Sequence, residues 1–294
     1  MTAPLALIAE QDFAGRQSVG KRSGQEDAYA FSLIPARVGG GTGLLLIVAD
    51  GMGGHAAGNR ASELAVRTFG GAFHRGGTTM RERLSSALDA ANDALAAAIE
   101  ADPEQLEGMG TTLLAAAVTP LGLEWISVGD SPLYLFRRGT LRRINADHSF
   151  RPVLRAMVAK GEVTEEQAAV SSLRNRLRAA LIGGEIALVD LPATPLPLLD
   201  GDIVLAGSDG LQTLTDDALA DVLRAHAAAD AATLATQLVQ AVLAAGAAKQ
   251  DNITAALVKP GGDWLLAPFD FAPARPAEDP AAVTQRIVPR PPAP

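Results

Sequence analysis

The chain has 294 residues, with 25 Lys and Arg against 33 Asp and Glu, and therefore a formal net charge of −8. This balance excludes a nucleic-acid binder that works by bulk positive charge. The absence of cysteine excludes disulfides, thiolate zinc sites and a cysteine nucleophile, and only four histidines are present. A metal ion would therefore be held mainly by oxygen ligands, which magnesium, manganese and calcium prefer. At about 150 residues per domain, the length suggests two domains.

Hydrophobic patterning predicts strands that alternate with helices, without an internal repeat. A continuous apolar run at 44–49 predicts a buried strand that ends in a turn at Asp50 and Gly51. Apolar residues spaced three and four apart predict an amphipathic helix at 80–101, which Asp102 and Pro103 would terminate. The other predicted elements are a helix at 60–73, strands at 111–118, 123–128, 133–137, 141–144, 203–206 and 253–258, and helices near 216–226 and 231–245.

Two segments differ from this pattern. Residues 150–178 are polar, charged and only weakly helical, which predicts an insertion over the surface. Residues 268–294 contain 8 of the 18 prolines, so we expect a disordered or polyproline-like tail there. No segment has the pattern of a signal peptide, and the strongest apolar run, 43–49, is far shorter than the roughly 18 residues of a membrane span. We therefore expect a cytosolic protein.

Aspartates recur at the ends of predicted strands. Asp50, Asp130 and Asp209 each follow an apolar run, and Asp251 immediately precedes the last predicted strand. Each of them alone is typical of a turn. Together they would bring several carboxylates to one edge of a sheet, which is costly unless cations are bound there. Oxygen ligands favour magnesium or manganese, and two such ions can share a bridging carboxylate.

A cationic residue precedes an acidic pair near the start of the chain, where Arg22 is followed by Glu26 and Asp27. An exposed charged loop could have the same sequence. Beside a metal cluster, however, the planar guanidinium of Arg22 would match two oxygens of a phosphate. Arginine together with paired metal ions therefore indicates phosphoryl chemistry, in which the metals activate a water molecule and neutralise developing charge.

Two nucleotide-binding motifs provide competing interpretations. Residues 15–21 have the spacing of a P-loop, but Arg22 stands where that motif needs Ser or Thr, and no strand is predicted before it and no helix after it. Residues 51–56 match a permissive dinucleotide-binding pattern between a predicted strand and a predicted helix. That pattern also requires a second strand ending in an acidic residue about 20 positions further on. Because residues 75–78 predict a loop instead, dinucleotide binding is the weaker hypothesis.

Seven motifs occur in a characteristic order. They are RSGQEDA at 22–28, VADGMGGHAAG at 48–58, GMGTT at 108–112, VGDS at 128–131, DHS at 147–149, SDGL at 208–211 and DNIT at 251–254. Together they resemble bacterial metal-dependent Ser/Thr protein phosphatases of type 2C, over about residues 17–258. The resemblance implies an α+β fold, a four-layer αββα sandwich of two antiparallel β-sheets flanked by helices. It also implies a catalytic domain over 1–267 with a flap insertion at about 150–183, followed by the tail at 268–294.

The resemblance further implies a binuclear metal site. Asp50 would bridge two Mn²⁺ or Mg²⁺ ions, and the carbonyl oxygen of Gly51 would supply a further ligand. Asp209 and Asp251 would complete one of the two metal positions. The nucleophile would be a water molecule activated by the metals, and no phosphoenzyme would form.

Four more residues take roles by the same resemblance. Glu26 and Asp27 would support the second metal, partly through water, and Asp130 would join Asp209 at a possible third metal site. Arg22 would bind the phosphate of the substrate. The implied substrates are proteins phosphorylated on Ser or Thr, and the implied partner is a bacterial Ser/Thr kinase that the phosphatase opposes. Neither nucleic-acid binding nor membrane insertion is expected, and the oligomeric state is left open.

Two departures from the family pattern concern the surroundings of the site. Pro132 replaces the arginine that commonly follows GDS, so a contact to the acidic cluster would be missing. In the flap, Ser171 and Ile182 replace a histidine and a glycine of the family pattern. These departures favour the alternative hypothesis, a metal-binding but catalytically weak module that regulates or docks phosphoproteins.

Overall fold

The computed structural model describes residues 7–34 and 43–261. Within these ranges the strands are β1 (Phe13–Ser18), β2 (Asp27–Ile34), β3 (Gly43–Met52), β4 (Gly110–Thr111), β5 (Leu113–Thr119), β6 (Gly122–Val128), β7 (Leu133–Arg137), β8 (Thr140–Arg143), β9 (Ile203–Gly207) and β10 (Ile253–Val258). The helices are α1 (His55–Arg75), α2 (Met80–Ala101), α3 (Pro103–Leu106), α4 (Arg151–Ala159), α5 (Glu165–Val170), α6 (Asp216–Ala225) and α7 (Ala231–Ala244), and a short 3₁₀ helix covers Asp209–Thr213.

Two antiparallel sheets form the centre of the fold. One sheet has the strand order β1-β10-β9-β7-β8, and the other has the order β2-β3-β5-β6 with β4 beside β3. The two sheets bury a hydrophobic core between them. Helices α1 and α2 bury a second core against the outer face of the β3 sheet, and α6 and α7 bury a third against the outer face of the β10 sheet. These layers are those of the αββα sandwich, so the predicted fold class is confirmed.

Strand β3 shows why its sequence is a continuous apolar run. Leu44, Leu46 and Val48 pack in the core between the sheets, whereas Leu45 and Ile47 pack in the core beneath α1 and α2. Successive side chains of a strand point to opposite faces, and both faces are covered here, so no polar position interrupts the run. The same strand then carries Asp50 to the edge of this core.

Helix α2 has the ends that the sequence predicts. Thr79 accepts a hydrogen bond from the backbone of Glu82, and the Glu82 side chain accepts one from the backbone of Thr79, which forms a capping box. The helix ends at Ala101, directly before Asp102 and Pro103. The predicted bounds at 80–101 are therefore confirmed.

Several predicted bounds are wrong. The sequence did not predict β1 and β2, and α1 begins at His55, five residues before the predicted start. The pair Asp50 and Gly51 does not form a turn, because β3 continues to Met52 through pairing with β4. The predicted strand at 111–118 is instead divided into β4 and β5. The P-loop hypothesis fails because residues 19–26 connect two strands, and the dinucleotide-binding hypothesis fails because α1 is followed directly by α2.

The predicted insertion contains α4 and α5, followed by a stretch that pairs with β4 and with the loop after β8. Leu177 forms an isolated bridge with Ser149, and Leu181 forms one with Thr111. The predicted tail at 268–294 lies outside the described residues. Across the described ranges, no helix combines the length and the apolarity that crossing a membrane requires.

Candidate active site

The four aspartates at strand ends lie at one edge of the sandwich, and each sheet supplies two of them. Asp50 lies near the end of β3 and Asp130 in the loop after β6, while Asp209 begins the 3₁₀ helix after β9 and Asp251 directly precedes β10. Asp50, Asp130 and Asp209 line a cavity of about 550 Å³. Asp209 and Asp251 also line a neighbouring cavity of about 710 Å³. The structure thus brings together the carboxylates that the sequence singled out.

These carboxylates disfavour one another's ionisation. Burial raises the pKa of Asp50 well above its usual range, and the charges of Asp27 and Asp209 raise it further. Burial and the charge of Asp209 likewise raise the pKa of Asp130 to about 7. The pKa of Asp209 is raised by burial and by the charge of Asp251. The cluster therefore holds more negative charge than the surrounding protein compensates.

Asp27 lies beneath this cluster, in the strand next to the one that carries Asp50. The two residues are directly paired across β2 and β3. The Thr254 hydroxyl donates to Oδ2 of Asp27 at 2.6 Å, while Oδ1 is buried without a hydrogen-bond partner in the described part of the chain. Burial, together with the charges of Asp209 and Asp251, raises the pKa of Asp27 to about 7. A cation bound beside this carboxyl would give the unpaired Oδ1 a partner. It would also offset the repulsion among the carboxylates.

The structure also brings Arg22 to the cluster. Its side chain is 49% exposed, and Nη2 donates to Oδ2 of Asp251 at 2.5 Å. Glu26, which lies four residues later in the same loop, is half-buried. The loop between β1 and β2 therefore carries Arg22 and Glu26 to the ends of β3 and β10.

Two threonines of the GMGTT motif fix the backbone of Asp50. The hydroxyl of Thr112 accepts from the Asp50 N–H at 2.9 Å, and the hydroxyl of Thr111 donates to the Asp50 carbonyl at 3.0 Å. The next residue, Gly51, is packed against backbone, since an added Cβ would collide with the carbonyl oxygens of Gly58 and Glu26. Close packing on both sides therefore sets the position from which the Asp50 carboxylate reaches the cavity.

Asn252, in the DNIT motif, has a role that the sequence did not indicate. The side chain is almost fully buried and makes three hydrogen bonds to the Arg22 loop. Its Nδ2 donates to the carbonyls of Val19 and Gly24 at 2.9 and 3.0 Å, and its Oδ1 accepts from the Glu26 N–H at 2.7 Å. Asn252 therefore holds the loop that carries Arg22 and Glu26 next to its own neighbour in the chain, Asp251.

Replacement of Asn252 by alanine is expected to destabilise the protein and to weaken its response to metal ions. Loss of a buried side chain that satisfies three backbone groups costs about 1 to 3 kcal/mol. Thermal melting measures the first effect, and the Mn²⁺ concentration that gives half-maximal stabilisation measures the second. Asn92→Ala is the matched control, because Asn92, on α2, is also buried and bonds the backbone of Gly183 and Gly184. An equal loss of Mn²⁺ response in both variants would contradict the positioning role of Asn252.

Pro132 supplies no arginine to the acidic cluster, but two arginines from other elements approach Asp130. Arg143, on β8, donates from Nη2 to the backbone carbonyl of Asp130 at 3.0 Å. Arg151, at the start of α4, places Nη1 3.9 Å from Oδ2 of Asp130 and also donates to Gln212. The positive charge therefore reaches Asp130 from two other elements, neither of which the pattern around residue 132 could indicate.

The donor chemistry of the cluster fits hard divalent cations. All its charged donors are carboxylate oxygens, they repel one another in a partly buried site, and one buried oxygen of Asp27 lacks a partner. In residues 7–34 and 43–261, however, no three His, Asp or Glu side chains already stand close enough together to form a ready ligand set.

Comparison with known proteins shows the family of this chain. Residues 14–242 match the sequence profile of the family described as Protein phosphatase 2C, so the chain belongs to the protein phosphatase 2C family. The Ser/Thr protein phosphatase PstP of Mycobacterium tuberculosis is 36% identical over 211 residues, which are 71% of this chain and 39% of that protein. The chain thus matches well under half the length of this relative.

Two solved structures show the same fold. The crystal structure of the M. tuberculosis Ser/Thr phosphatase PstP/Ppp superposes with a TM-score of 0.67 at 32% identity, over 85% of this chain and 98% of that one. The catalytic domain of PstP in complex with two manganese ions gives a TM-score of 0.65 at 32% identity, over 84% of this chain and 96% of that one. Both are similar to this chain over almost their full lengths.

Proposed function

We propose that the chain is a manganese- or magnesium-dependent protein phosphatase that hydrolyses phosphoserine and phosphothreonine in proteins. The observation that carries the proposal is the meeting of four strand-end aspartates with Arg22 at one edge of the sandwich. Membership of the protein phosphatase 2C family and similarity to a PstP structure that contains two manganese ions support it.

The carboxylates would hold the metal ions. Asp50 and the Gly51 carbonyl would face two ions, Asp209 and Asp251 would complete one position, and Glu26 with Asp27 would support the other. We further propose that Asp130 and Asp209 bind a third ion when it is present. When bound, the ions would lower the pKa of a water molecule for attack on phosphorus and neutralise charge on the phosphoryl group.

Arg22 would bind the substrate's phosphate through its planar guanidinium, which matches two phosphate oxygens. In the structure the same guanidinium donates to Asp251, a carboxylate that would serve as a metal ligand. A phosphate and Asp251 would therefore compete for Arg22, and neutralisation of Asp251 by a cation would favour the phosphate. The side chain is exposed enough for an incoming phosphoprotein to reach it.

The expected partner is a Ser/Thr kinase whose products this phosphatase would dephosphorylate, and the expected compartment is the cytosol. The alternative hypothesis of a catalytically weak docking module rested in part on a missing arginine contact at the acidic cluster. Arg143 and Arg151 bring positive charge to Asp130 from other elements, which weakens the first of its two grounds. The second ground remains, because Ile182 lines the same cavity as Asp50, Asp130 and Asp209.

The proposed activity is tested by phosphate release from an aryl phosphate and from matched phosphoserine, phosphothreonine and phosphotyrosine peptides. Protein stripped with a chelator is expected to be inactive, and Mn²⁺ or Mg²⁺ is expected to restore hydrolysis of the first three substrates. Hydrolysis that is unchanged by the chelator, or absent with both metals, would overturn the proposal. Binding of phosphoserine peptides without any release would instead support the docking module.

A further inference from the structure

The larger of the two cavities adjoins the acidic cluster but is lined by many cations. We call it the Arg155 cavity; its volume is about 710 Å³, and its wall includes Asp209 and Asp251. The cationic residues in its wall come from β8, from the insertion and from the loop before β10, and they are Arg143, Arg151, Arg155, Arg174 and Lys249. A charged cleft beside the proposed catalytic residues is therefore available to a part of the substrate other than the scissile phosphate.

Two of these arginines are committed to contacts within the protein. Arg143 lies 3.4 Å from Asp147 and donates to the backbone carbonyl of Asp130. Arg151 donates to Asn175 and Gln212 and lies 3.9 Å from Asp130. Both guanidinium groups therefore mainly contact Asp130 and other residues in the wall of the cavity.

The other three cations have no close acidic partner in the described part of the chain. In the described part of the chain, no acidic side chain lies within 4 Å of Arg174 or Lys249, and both residues are exposed. Arg155 is 73% exposed, and among residues 7–34 and 43–261 its only ion pair is a 3.9 Å approach to Asp147, which Arg143 approaches more closely. Three positive charges thus border one cavity without strong partners of their own.

The acids in the same wall do not balance these charges. Asp147 accepts from Ser149 and pairs with Arg143, and Asp216 accepts from the Tyr134 hydroxyl at 2.9 Å. Asp209 and Asp251 belong to the cluster to which metal ions are assigned above. With those ions bound, the cavity would carry excess positive charge, and a concave surface concentrates the resulting field. Such a surface favours an anion.

We propose that the Arg155 cavity binds a second phosphorylated residue of the substrate while the first lies at Arg22 and the acidic cluster. Segments phosphorylated at two nearby positions would then be preferred substrates. The proposal rests on the phosphatase activity proposed above and narrows its substrate class. A phosphate is favoured over a carboxylate because it carries more charge and its oxygens match guanidinium groups from more than one side.

The test compares peptides with one phosphothreonine and a variable second residue, which is phosphoserine, glutamate or alanine, placed two or three positions before or after it. Binding is measured by fluorescence anisotropy with non-hydrolysable phosphonate versions, and KM and kcat are measured with the phosphates. For at least one spacing, the second phosphate is expected to strengthen binding about tenfold over alanine, with a smaller gain for glutamate. A gain for glutamate equal to that for phosphate would overturn the assignment to phosphorylated residues.

The double variant Arg155→Ala/Arg174→Ala is expected to reduce this tenfold preference to about one. The control, Arg67→Ala/Arg142→Ala, removes the same charge from exposed positions that line neither cavity, and it should keep the preference. An absence of preference in the unaltered protein, or an equal preference in the two double variants, would overturn the inference. Failure of the activity itself would be seen separately, as a lack of metal-dependent aryl phosphate hydrolysis in the unaltered protein.

Discussion

Replacement of Asp50 by asparagine is expected to remove the metal-dependent hydrolysis and also to raise the melting temperature of the metal-free protein. Loss of the carboxylate proposed to face both ions should cost about 3 kcal/mol or more of transition-state stabilisation, roughly a hundredfold in rate. The stability should change in the opposite direction, because burial and the charges of Asp27 and Asp209 penalise the ionised carboxyl. Aryl phosphate hydrolysis with Mn²⁺ and thermal melting with a chelator measure the two effects.

Asp93→Asn is the control for this variant. Asp93 is exposed on α2, so its replacement makes the same change in charge and chemistry away from the cluster. It is expected to leave both the hydrolysis rate and the melting temperature unchanged. Two results would contradict this role: Asp50→Asn that keeps the rate of the unaltered protein, or Asp50→Asn that melts at a lower temperature without metal. Either would show that Asp50 has a structural role and is not a metal ligand kept at a cost in stability.

A carboxylate that is needed for activity but lowers the stability of the metal-free fold stands out in a sequence. A buried carboxylate is unfavourable, and aspartates at the ends of three apolar runs, with a fourth directly before the last strand, indicated a use beyond turn formation. The turn itself was predicted wrongly at Asp50. Asp-Gly pairs favour turns, but Gly51 and Met52 pair with Thr111 and Gly110 in β4, and this long-range pairing extends the strand.

The supports of the site were not predictable from local pattern. Asn252 bonds residues that precede it by more than 200 positions, as its contacts with Gly24 and Glu26 show. Arg151 reaches Asp130 from a helix that the sequence presented only as a polar insertion. Hydrogen bonds of this kind depend on which loops the fold brings together, and a single sequence does not show that.

The missed strands have a similar cause. In β2 both faces are covered, so Tyr29 and Phe31 pack between the sheets while Ala28 and Ala30 face α1 and its neighbours. Small and large apolar residues then alternate where an exposed sheet would alternate apolar with polar residues. The period-two pattern that predicts a half-buried strand is therefore absent from this segment.

Metal-free protein is expected to lose stability as the pH rises from about 6.5 to about 8. Asp27 and Asp130 have pKa values of about 7, and the pKa of Asp50 is higher than its usual value. Carboxyls whose pKa is raised by folding bind more protons in the folded state than in the unfolded state, so ionisation with rising pH destabilises the fold. The lowered pKa of His148 acts in the opposite direction, but only below its unperturbed value of 6.5.

Mn²⁺ is expected to reverse this trend. The ion binds the ionised carboxylates, which are the form that destabilises the metal-free fold. Stabilisation by Mn²⁺ should therefore grow with pH over the same range. Melting temperatures in chelator and in saturating Mn²⁺, measured at several pH values, test both slopes. Asp27→Asn should flatten the slope in chelator, since it removes one of the titrating groups. A metal-free melting temperature that rises towards pH 8 would contradict the clustering of charge on which the proposed metal site depends. Parallel slopes with and without Mn²⁺ would instead place the ion away from these carboxylates.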